Sequence, residues 1–452
     1  MELLESIVNF LNGILWGKNL LVVLLIGAGI IFSFKTKFVQ IRLFKHMIEL
    51  LGEKSEKDDN NLSSFQAFCI STATRVGAGN LAGVVSALAI GGAGSIFWMW
   101  MVALLGSATA FIETTLAMVY REKDDQGGFI GGPAFYLKNG LGKKRLGLVF
   151  IGTGIICWSG VLQVVSNSVT ESFNVAFGID MKIMSIILVI ISAGVIFGRR
   201  DKIAKVLDKI VPIMSILYLA VVLFIVIKNF NLLPGVIGNI VKEAFGIKEG
   251  IGGAVGAMVM QGVKRGLFSN EAGTGSAPCA AASANVSHPV KQGLIQSLGV
   301  FVDTFVICTA TAMVILLTDG EITKGLGGME LLQVAFNYHI GAFGKIFIAI
   351  ILFLFSFSTL LGICFYGRVN VAFASKKEKY QNAFKIFALV MIFLGGLHQN
   401  ILMWNLADLG LALMTIVNMI GVFPLLPKAL EELKDYENLN LNRDMEEILE
   451  KI

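Results

Sequence analysis

The chain has 452 residues, of which 55% are hydrophobic and 15% charged, and its mean hydropathy is +0.75. A soluble domain carries about 25% charged residues, so this composition excludes an ordinary soluble protein and indicates one whose first partner is the lipid bilayer. The net charge of +5 does not point to nucleic acid, because so apolar a chain has no soluble face on which the charge could collect. The five cysteines lie in apolar segments without metal-ligand spacing.

The first residues predict a helix that lies at the membrane interface. Leu3, Ile7 and Phe10 recur at helical spacing, whereas Glu2 and Glu5 stand where a cleavable signal peptide needs positive charge. After this segment we predict eleven membrane spans, since a crossing helix needs about 20 mostly apolar residues. The spans lie near 19–34, 63–90, 94–120, 146–177, 183–198, 208–229, 251–284, 290–318, 342–373, 382–397 and 402–427.

The basic residues of the connections predict the orientation. If the N-terminus is outside, the inner connections hold 25 Lys and Arg and the outer ones hold seven. Basic residues concentrate in cytoplasmic loops. We therefore predict a multi-pass protein of the cell membrane with its N-terminus outside and its C-terminus in the cytoplasm, ending in a short charged helix.

Two of the predicted spans are interrupted by glycines and polar residues. Span 2 contains TATRVGAGNLAGV at 72–84, and span 7 contains VKRGLFSNEAGTGSAP at 263–278. Because five spans separate them, they occupy corresponding positions in two halves of opposite topology, a pattern that points to the binding site of a secondary transporter. The predicted organisation is an extra N-terminal region (1–62), a first five-helix repeat (63–229), an extracellular connection (230–250), a second inverted repeat (251–427) and a charged tail (428–452).

Bilayer physics explains what such interruptions can do. Unwound backbone at membrane depth is tolerated where it is buried in protein or lines a cavity. Its free amides can hold a carboxylate, and its free carbonyls can hold an ammonium group or a cation. A zwitterionic amino acid needs both. The alternative is that Gly79 and Gly83, four residues apart, only allow close helix packing.

These segments also resemble a known family. VGAGN at 76–80 resembles the VGxGN of the first unwound helix in leucine-transporter-type (LeuT) symporters. GGAGSIFWMWMVALLG at 91–106 is similar to the signature of the alanine/glycine:cation symporter family, and RGLFSNEAGTGSAP at 265–278 is similar to its second broken helix. The resemblance implies an all-α polytopic protein with a LeuT-type 5+5 inverted repeat and one additional N-terminal span, which imports alanine or glycine with sodium.

The resemblance also implies a substrate site. The amides of Gly77, Ala78 and Gly79 are expected to face the substrate carboxylate, and Phe268 is expected to form a wall or lid. Side chains and backbone of the second break add further candidates, which are Ser269, Asn270 and Gly273.

Span 4 corresponds to the third core helix, which lines the pocket in this fold. Gln163 and Asn167 share one face of this span, so we predict Gln163 first and Asn167 second as side-chain contacts to substrate. A hydrogen bond between helices is an equally weighted alternative for both.

Two sodium positions follow from the same resemblance, and no organic cofactor is expected. Asn80 and Ser269 would supply oxygens to the first. The second would combine hydroxyls of span 9 with carbonyls of span 2, an oxygen set that suits a hard cation; its residues are Ser358, Thr359, Ala73 and Val76. The alternative for the two hydroxyls is a hydrogen bond back to their own helix.

Ionisable residues inside the spans are costly and need partners. Arg75 and Glu271 both fall at the breaks, so we hypothesise a structural or gating ion pair between them; a proton-carrying carboxylate, and hence proton coupling, is the alternative. The other acids of the spans are predicted to be near-interface or structural groups (Glu113, Glu171, Asp303 and Asp408).

The sequence therefore predicts a sodium-coupled symporter of small neutral amino acids that works by alternating access. A channel would need a continuous polar stripe, and an intramembrane enzyme would need a nucleophile–base pair or a metal cluster; neither pattern is visible. The choice among alanine, glycine and serine stays open, as do the oligomeric state and sodium versus proton.

Overall fold

The computed structural model describes residues 2–53, 61–124, 127–198, 200–246, 252–397 and 401–449, and the predictions for 247–250, for His398 and for 450–452 lie outside them. The regular structure of these residues is helical apart from one two-stranded hairpin, β1 (Glu122–Lys123) and β2 (Phe129–Ile130).

The helices follow one another with short connections. Those of the first half are α1 (Glu2–Asn12), α2 (Leu20–Lys35), α3 (Val39–Arg42), α4 (Phe44–Leu51), α5 (Ser64–Arg75), α6 (Val84–Gly91), α7 (Gly94–Val119), α8 (Pro133–Asn139), α9 (Lys144–Phe177), α10 (Met181–Ile196), α11 (Arg200–Lys228) and α12 (Leu233–Ala244). Those of the second half are α13 (Gly252–Asn270), α14 (Pro278–Ala281), α15 (Pro289–Phe301), α16 (Thr309–Leu316), α17 (Gly320–Thr323), α18 (Gly328–Ile340), α19 (Phe343–Ala374), α20 (Glu378–Leu397) and α21 (Ile401–Leu449).

Nine of the eleven predicted spans coincide with helices or helix pairs that could cross a bilayer. Within the described residues, seven helices or continuous helix pairs are long and apolar enough to cross a bilayer, and two bent pairs raise the number to nine. α10 is apolar but has only 16 residues, and α13 ends at the second break. The protein is thus a multi-pass membrane protein, whereas the count of eleven crossings and the 5+5 repeat stay predictions.

Both predicted breaks are confirmed. In span 2, α5 ends at Arg75, a π-helical turn covers Gly79–Gly83, and the helices on either side differ in direction by 42°. In span 7, α13 ends at Asn270 and the next residues turn sharply, with positive φ angles of 55° at Glu271, 92° at Gly273 and 80° at Gly275. Glycine adopts these angles without strain, whereas a glutamate there costs about 1–3 kcal/mol.

A third irregularity was not predicted. Between α15 and α16 the helix continues through a π-helical segment, Val302–Cys308. Such segments insert one residue into a helix and are frequent at functional sites. Here the segment carries Asp303 into the protein interior.

The C-terminal segment also differs from the prediction. α21 runs from Ile401 to Leu449 without interruption, so 428–449 extends the last span and is not a separate short helix. Ion pairs from Lys428 to Glu431 and Glu432 lie at the i,i+3 and i,i+4 spacings that favour helix continuation.

Candidate functional site

The two breaks border a small cavity in the middle of the helix bundle. Its volume is about 10 Å³, roughly the space that one water molecule needs. A larger ligand therefore enters only when the lining side chains move. The lining comes from both breaks and from α9, α19 and α21, and comprises Thr74, Gly79, Cys157, Trp158, Val161, Val165, Phe268, Glu271, Ser276, Thr359, Ile363 and Leu411.

The first break is packed tightly against its surroundings. A Cβ atom at Gly79 would lie 3.1 Å from Cδ1 of Phe268, and one at Gly77 would overlap the hydroxyl of Thr359. The Gly77 amide donates to Oδ1 of Asn80 at 2.8 Å, and Ala78 is fully buried. Of the three residues predicted to face a carboxylate, only Gly79 lines the cavity in this conformation. Glycine is required here by close packing as well as by backbone exposure.

A buried carboxylate connects the predicted ligands of the first sodium position. Asp303 has no exposed surface, and it accepts hydrogen bonds from Asn80 Nδ2 at 2.6 Å and from Ser269 Oγ at 2.9 Å. Thr304 Oγ1 donates to the same carboxylate at 2.8 Å. The structure thus places Asn80 and Ser269 together, as expected, and adds the buried carboxyl group of Asp303 between them.

Of the two alternatives predicted for Asp303, a near-interface and a structural position, its complete burial does not fit the first. Asp303 lies beside both breaks, because the π-helical segment brings it to Asn80 and Ser269. The signal was present in the sequence: an acid in an apolar span is by default a candidate functional residue.

The residues of the second predicted sodium position are also close together. Thr359 Oγ1 lies 2.9 Å from the Ala73 carbonyl, and Ser358 Oγ lies 3.4 Å from the same oxygen. Both hydroxyls also donate to the Phe355 carbonyl of their own helix, at 2.9 and 2.8 Å. Val76 is buried just after the last turn of α5. The two hydroxyls thus lie near the Ala73 carbonyl, as predicted, and at the same time form the alternative hydrogen bonds to their own helix.

The hypothesised ion pair between the two breaks is not formed. Arg75 Nη1 donates to the carbonyl and the side-chain oxygen of Gln296, at 3.0 and 3.2 Å. Glu271 Oε2 accepts from Thr74 Oγ1 at 3.1 Å. No ion pair joins Arg75 to Glu271 in the part of the chain that the structure describes. The reason is geometric: Arg75 points toward α15, whereas Glu271 lines the cavity.

The second break is held from the side of α7 and α21. The Gly273 amide donates to Oε1 of Glu113 at 3.1 Å, and the Gly273 carbonyl accepts from Asn418 Nδ2 at 2.9 Å. Asn418 Nδ2 also lies 2.6 Å from Oε2 of Glu113, and Tyr136 contacts Oδ1 of Asn418. Glu113 therefore has a structural role, as expected. Gly273 is part of this support and does not line the cavity.

Asn270 also serves the break and not the cavity. Its Oδ1 accepts from the Ala272 amide at 3.0 Å, and its Nδ2 donates to Thr304 Oγ1 at 3.2 Å. This geometry ends α13 and joins the break to the π-helical segment. The prediction that Asn270 contacts substrate is not supported in this conformation.

The two amides of α9 lie away from the central cavity. Gln163 Nε2 donates to the Ser159 carbonyl of its own helix at 2.8 Å and lies 3.6 Å from Sδ of Met391 in α20. Gln163 does not line the central cavity in this conformation, because the α9 backbone packs tightly against Gly395 of α20 at this point. Asn167 borders a second, larger cavity.

This second cavity, the vestibule, has a volume of about 560 Å³ and lies where α6 and α9 end. Phe268 and Trp404 separate it from the central cavity, with ring centroids 5.1 Å apart. Arg265 stacks on Trp404 at 4.5 Å and pairs with Asp408 at 3.3 Å, and Lys264 pairs with Asp408 at 2.6 Å. Phe268 is thus a wall of the central cavity, as predicted. Among the described residues, this charged and aromatic layer stands between the two cavities.

Two unwound helices meet at a buried polar centre, and an aromatic layer separates this centre from the vestibule. This arrangement defines the class of a secondary transporter with a LeuT-type fold. Solved structures share this fold. The crystal structure of MhsT in complex with L-phenylalanine matches 82% of this chain and 89% of that one with a TM-score of 0.55, at 15% identity. A manganese transporter from Eremococcus coleocola matches 84% and 83% with a TM-score of 0.51, at 12% identity.

The chain belongs to the sodium:alanine symporter family, whose model matches residues 1–450. Three curated relatives illustrate the family. The probable sodium/glutamine symporter GlnT of Bacillus subtilis is 46% identical over 96% of this chain and 91% of its own length. The sodium/alanine symporter AgcS of Methanococcus maripaludis is 36% identical, with 97% and 98% covered. A sodium/proton-dependent alanine carrier of Bacillus sp. PS3 is 38% identical, with 86% and 90% covered.

Proposed function

We propose that this protein imports small neutral amino acids, alanine and glycine first, by sodium-coupled symport. The observation that carries this proposal is the position of one buried acid cluster next to one small cavity. Asp303 accepts hydrogen bonds from both Asn80 and Ser269, and Phe268, which lines the cavity, immediately precedes Ser269. A cation and a substrate held there would share the same two unwound segments, so the binding of each would favour the other.

The substrate contacts are assigned from the cavity. The substrate carboxylate is held at the amides of the first break, which carry the positive end of a helix dipole. Gly79 already lines the cavity, whereas Gly77 and Ala78 reach it only when the break rearranges and Asn80 releases the Gly77 amide. Glu271 and Thr74 face the same space and are the acceptors for the ammonium group. The rest of the lining is apolar, and we expect it to favour a short side chain once the cavity opens; it includes Trp158, Val161, Ile363 and Leu411 of α9, α19 and α21.

Sodium is assigned to two positions. At the first, a half-turn of the Asn80 amide directs its oxygen toward the Asp303 carboxylate and the Ser269 hydroxyl. At the second, the ligands are the carbonyls of the first break and the hydroxyls of α19, from Ala73, Val76, Ser358 and Thr359. Carboxylate, amide, hydroxyl and carbonyl oxygens are donors that a hard cation prefers.

Transport in this proposal follows alternating access with the vestibule outside. The excess of basic residues in the opposite connections supports this orientation. Separation of Phe268 from Trp404, with release of the Arg265–Asp408 pair, would connect the vestibule to the central cavity. Proton coupling is the second candidate, favoured by Glu271, a partly buried acid that lines the cavity and forms no direct ion pair among the described residues.

Reconstituted vesicles test the proposal. Labelled alanine, glycine, serine and glutamine are offered under a sodium gradient, and separately under a pH gradient. We expect alanine and glycine uptake with sodium alone and little glutamine uptake. Uptake driven only by the pH gradient would replace sodium by the proton, and a preference for glutamine would refute the size argument. Absence of uptake of all four under both gradients would reject amino-acid symport.

A further inference from the structure

A groove separate from both cavities opens on the outer surface of the helix bundle, between α9, α19 and α20. Its volume is about 600 Å³, within the range of ligand sites. The floor is apolar and comprises Ile151, Ile155, Val371, Phe384 and Phe387. The rings of Phe384 and Phe387 lie 6.0 Å apart. In a bilayer such a surface suits an acyl chain.

The mouth of the groove is polar and basic. It is formed by Ser375, Lys377 and Tyr380, at the turn between α19 and α20. The sequence of this turn is SKKEKY at 375–380, so it contains three lysines and one glutamate. Lys379 Nζ lies 5.0 Å from the Tyr380 ring centroid.

The start of α9 adds further positive charge at the same end. Gly147 packs against Phe373, since a Cβ there would lie 2.9 Å from Cζ of that ring, so the exposed run KKR at 143–145 lies near the end of α19. α9 and α20 both begin at this end, and helix N-termini favour anions. Cationic side chains and two helix starts together suit a phosphate.

From this arrangement we propose that the groove binds one anionic glycerophospholipid. An acyl chain lies on the apolar floor, and the phosphate lies between Lys377, Lys379 and the two helix starts. A head group that also carries an ammonium would place a positive charge among the lysines, so anionic lipids are selected. The proposal requires only the bilayer and does not depend on which solute is transported.

The groove is connected with the central cavity by one aromatic pair. Phe384 of the floor lies 5.9 Å from Trp158, which lines the cavity. The Phe384 ring packs directly on Gly367, where a Cβ would overlap it. The ring therefore cannot move closer to α19. An acyl chain on Phe384 therefore supports the wall of the cavity from behind.

Native mass spectrometry of the purified full-length protein, titrated with phosphatidylglycerol or phosphatidylcholine, tests the proposal. The wild-type protein is expected to retain one phosphatidylglycerol at concentrations where phosphatidylcholine is lost, and millimolar inorganic phosphate should not displace it. K377A/K379A should weaken retention about 25-fold, at about fivefold for each lysine near a lipid surface. The control K35A/K45A removes two other exposed lysines and should change nothing.

A second pair of variants tests the apolar floor. A383W fills the groove and should abolish retention, whereas I386W, at a position 56% exposed and outside the groove lining, should not. Circular dichroism and gel filtration verify folding, and if A383W misfolds, the lysine variants decide. Equal retention of the two lipids, equal loss in both lysine pairs, or full retention by folded A383W would each overturn the proposal.

Discussion

Replacement of Asp303 by asparagine tests the proposed sodium position directly. The change keeps the size of the side chain but removes its charge, while Asn80, Ser269 and Thr304 still surround it at 2.6, 2.9 and 2.8 Å. A unit charge about 4 Å from a cation contributes about 4 kcal/mol at an effective dielectric constant of about 20. Part of this loss of binding energy is offset, because the neutral asparagine does not carry the desolvation penalty of a buried charge.

We therefore expect D303N to lose about 2–3 kcal/mol of sodium binding, which is roughly 30- to 150-fold in affinity. Isothermal calorimetry with sodium alone, in detergent and without amino acid, measures this directly. The matched control is D408N, which removes another buried acid at the layer between the two cavities. Its sodium affinity should stay within about threefold of wild type.

A sodium position at Asp303 is refuted if folded D303N binds sodium as tightly as wild type, or if D408N loses as much affinity. Should D303N fail to fold, S269A serves instead. It removes one neutral hydroxyl from the cluster and keeps the charge, so its expected loss is about tenfold or less.

Three further substitutions, two of them with a matched control, have expected outcomes. G79A places a Cβ 3.1 Å from Phe268 and should reduce alanine uptake at least about tenfold, whereas G83A, whose Cβ would lie at an ordinary 3.9 Å, should leave uptake unchanged; uptake by both variants measures this. E271Q should weaken alanine binding about 10- to 150-fold while sodium binding persists. Calorimetry with each ligand measures the two affinities, and an equal loss of both would contradict this expectation. E113A leaves the Gly273 amide without its acceptor and should lower stability by about 1–3 kcal/mol. T114A removes a buried hydroxyl that has no hydrogen-bond partner among the described residues and should lower the unfolding temperature much less.

The positions of the spans and of both breaks could be predicted from the sequence, because lipid makes local composition decisive. A long apolar run must form a helix there, since its backbone groups have no other hydrogen-bond partner. Glycines and polar groups within such a run, as at Gly77 and Gly273, are unfavourable unless a cavity or a protein contact uses them. Each of these statements depends only on neighbouring residues.

Only the tertiary structure could decide which side chains meet. A span that is apolar on all sides has no hydrophobic face that reveals its rotation, so Gln163 could not be assigned to the cavity or to α20 from its spacing. The inserted residue of the π-helical segment changes the rotation again and brings Asp303 to Asn80. Arg75 likewise faces Gln296 and not Glu271. Composition thus determined where the helices break, and helix rotation and packing determined what the breaks contact.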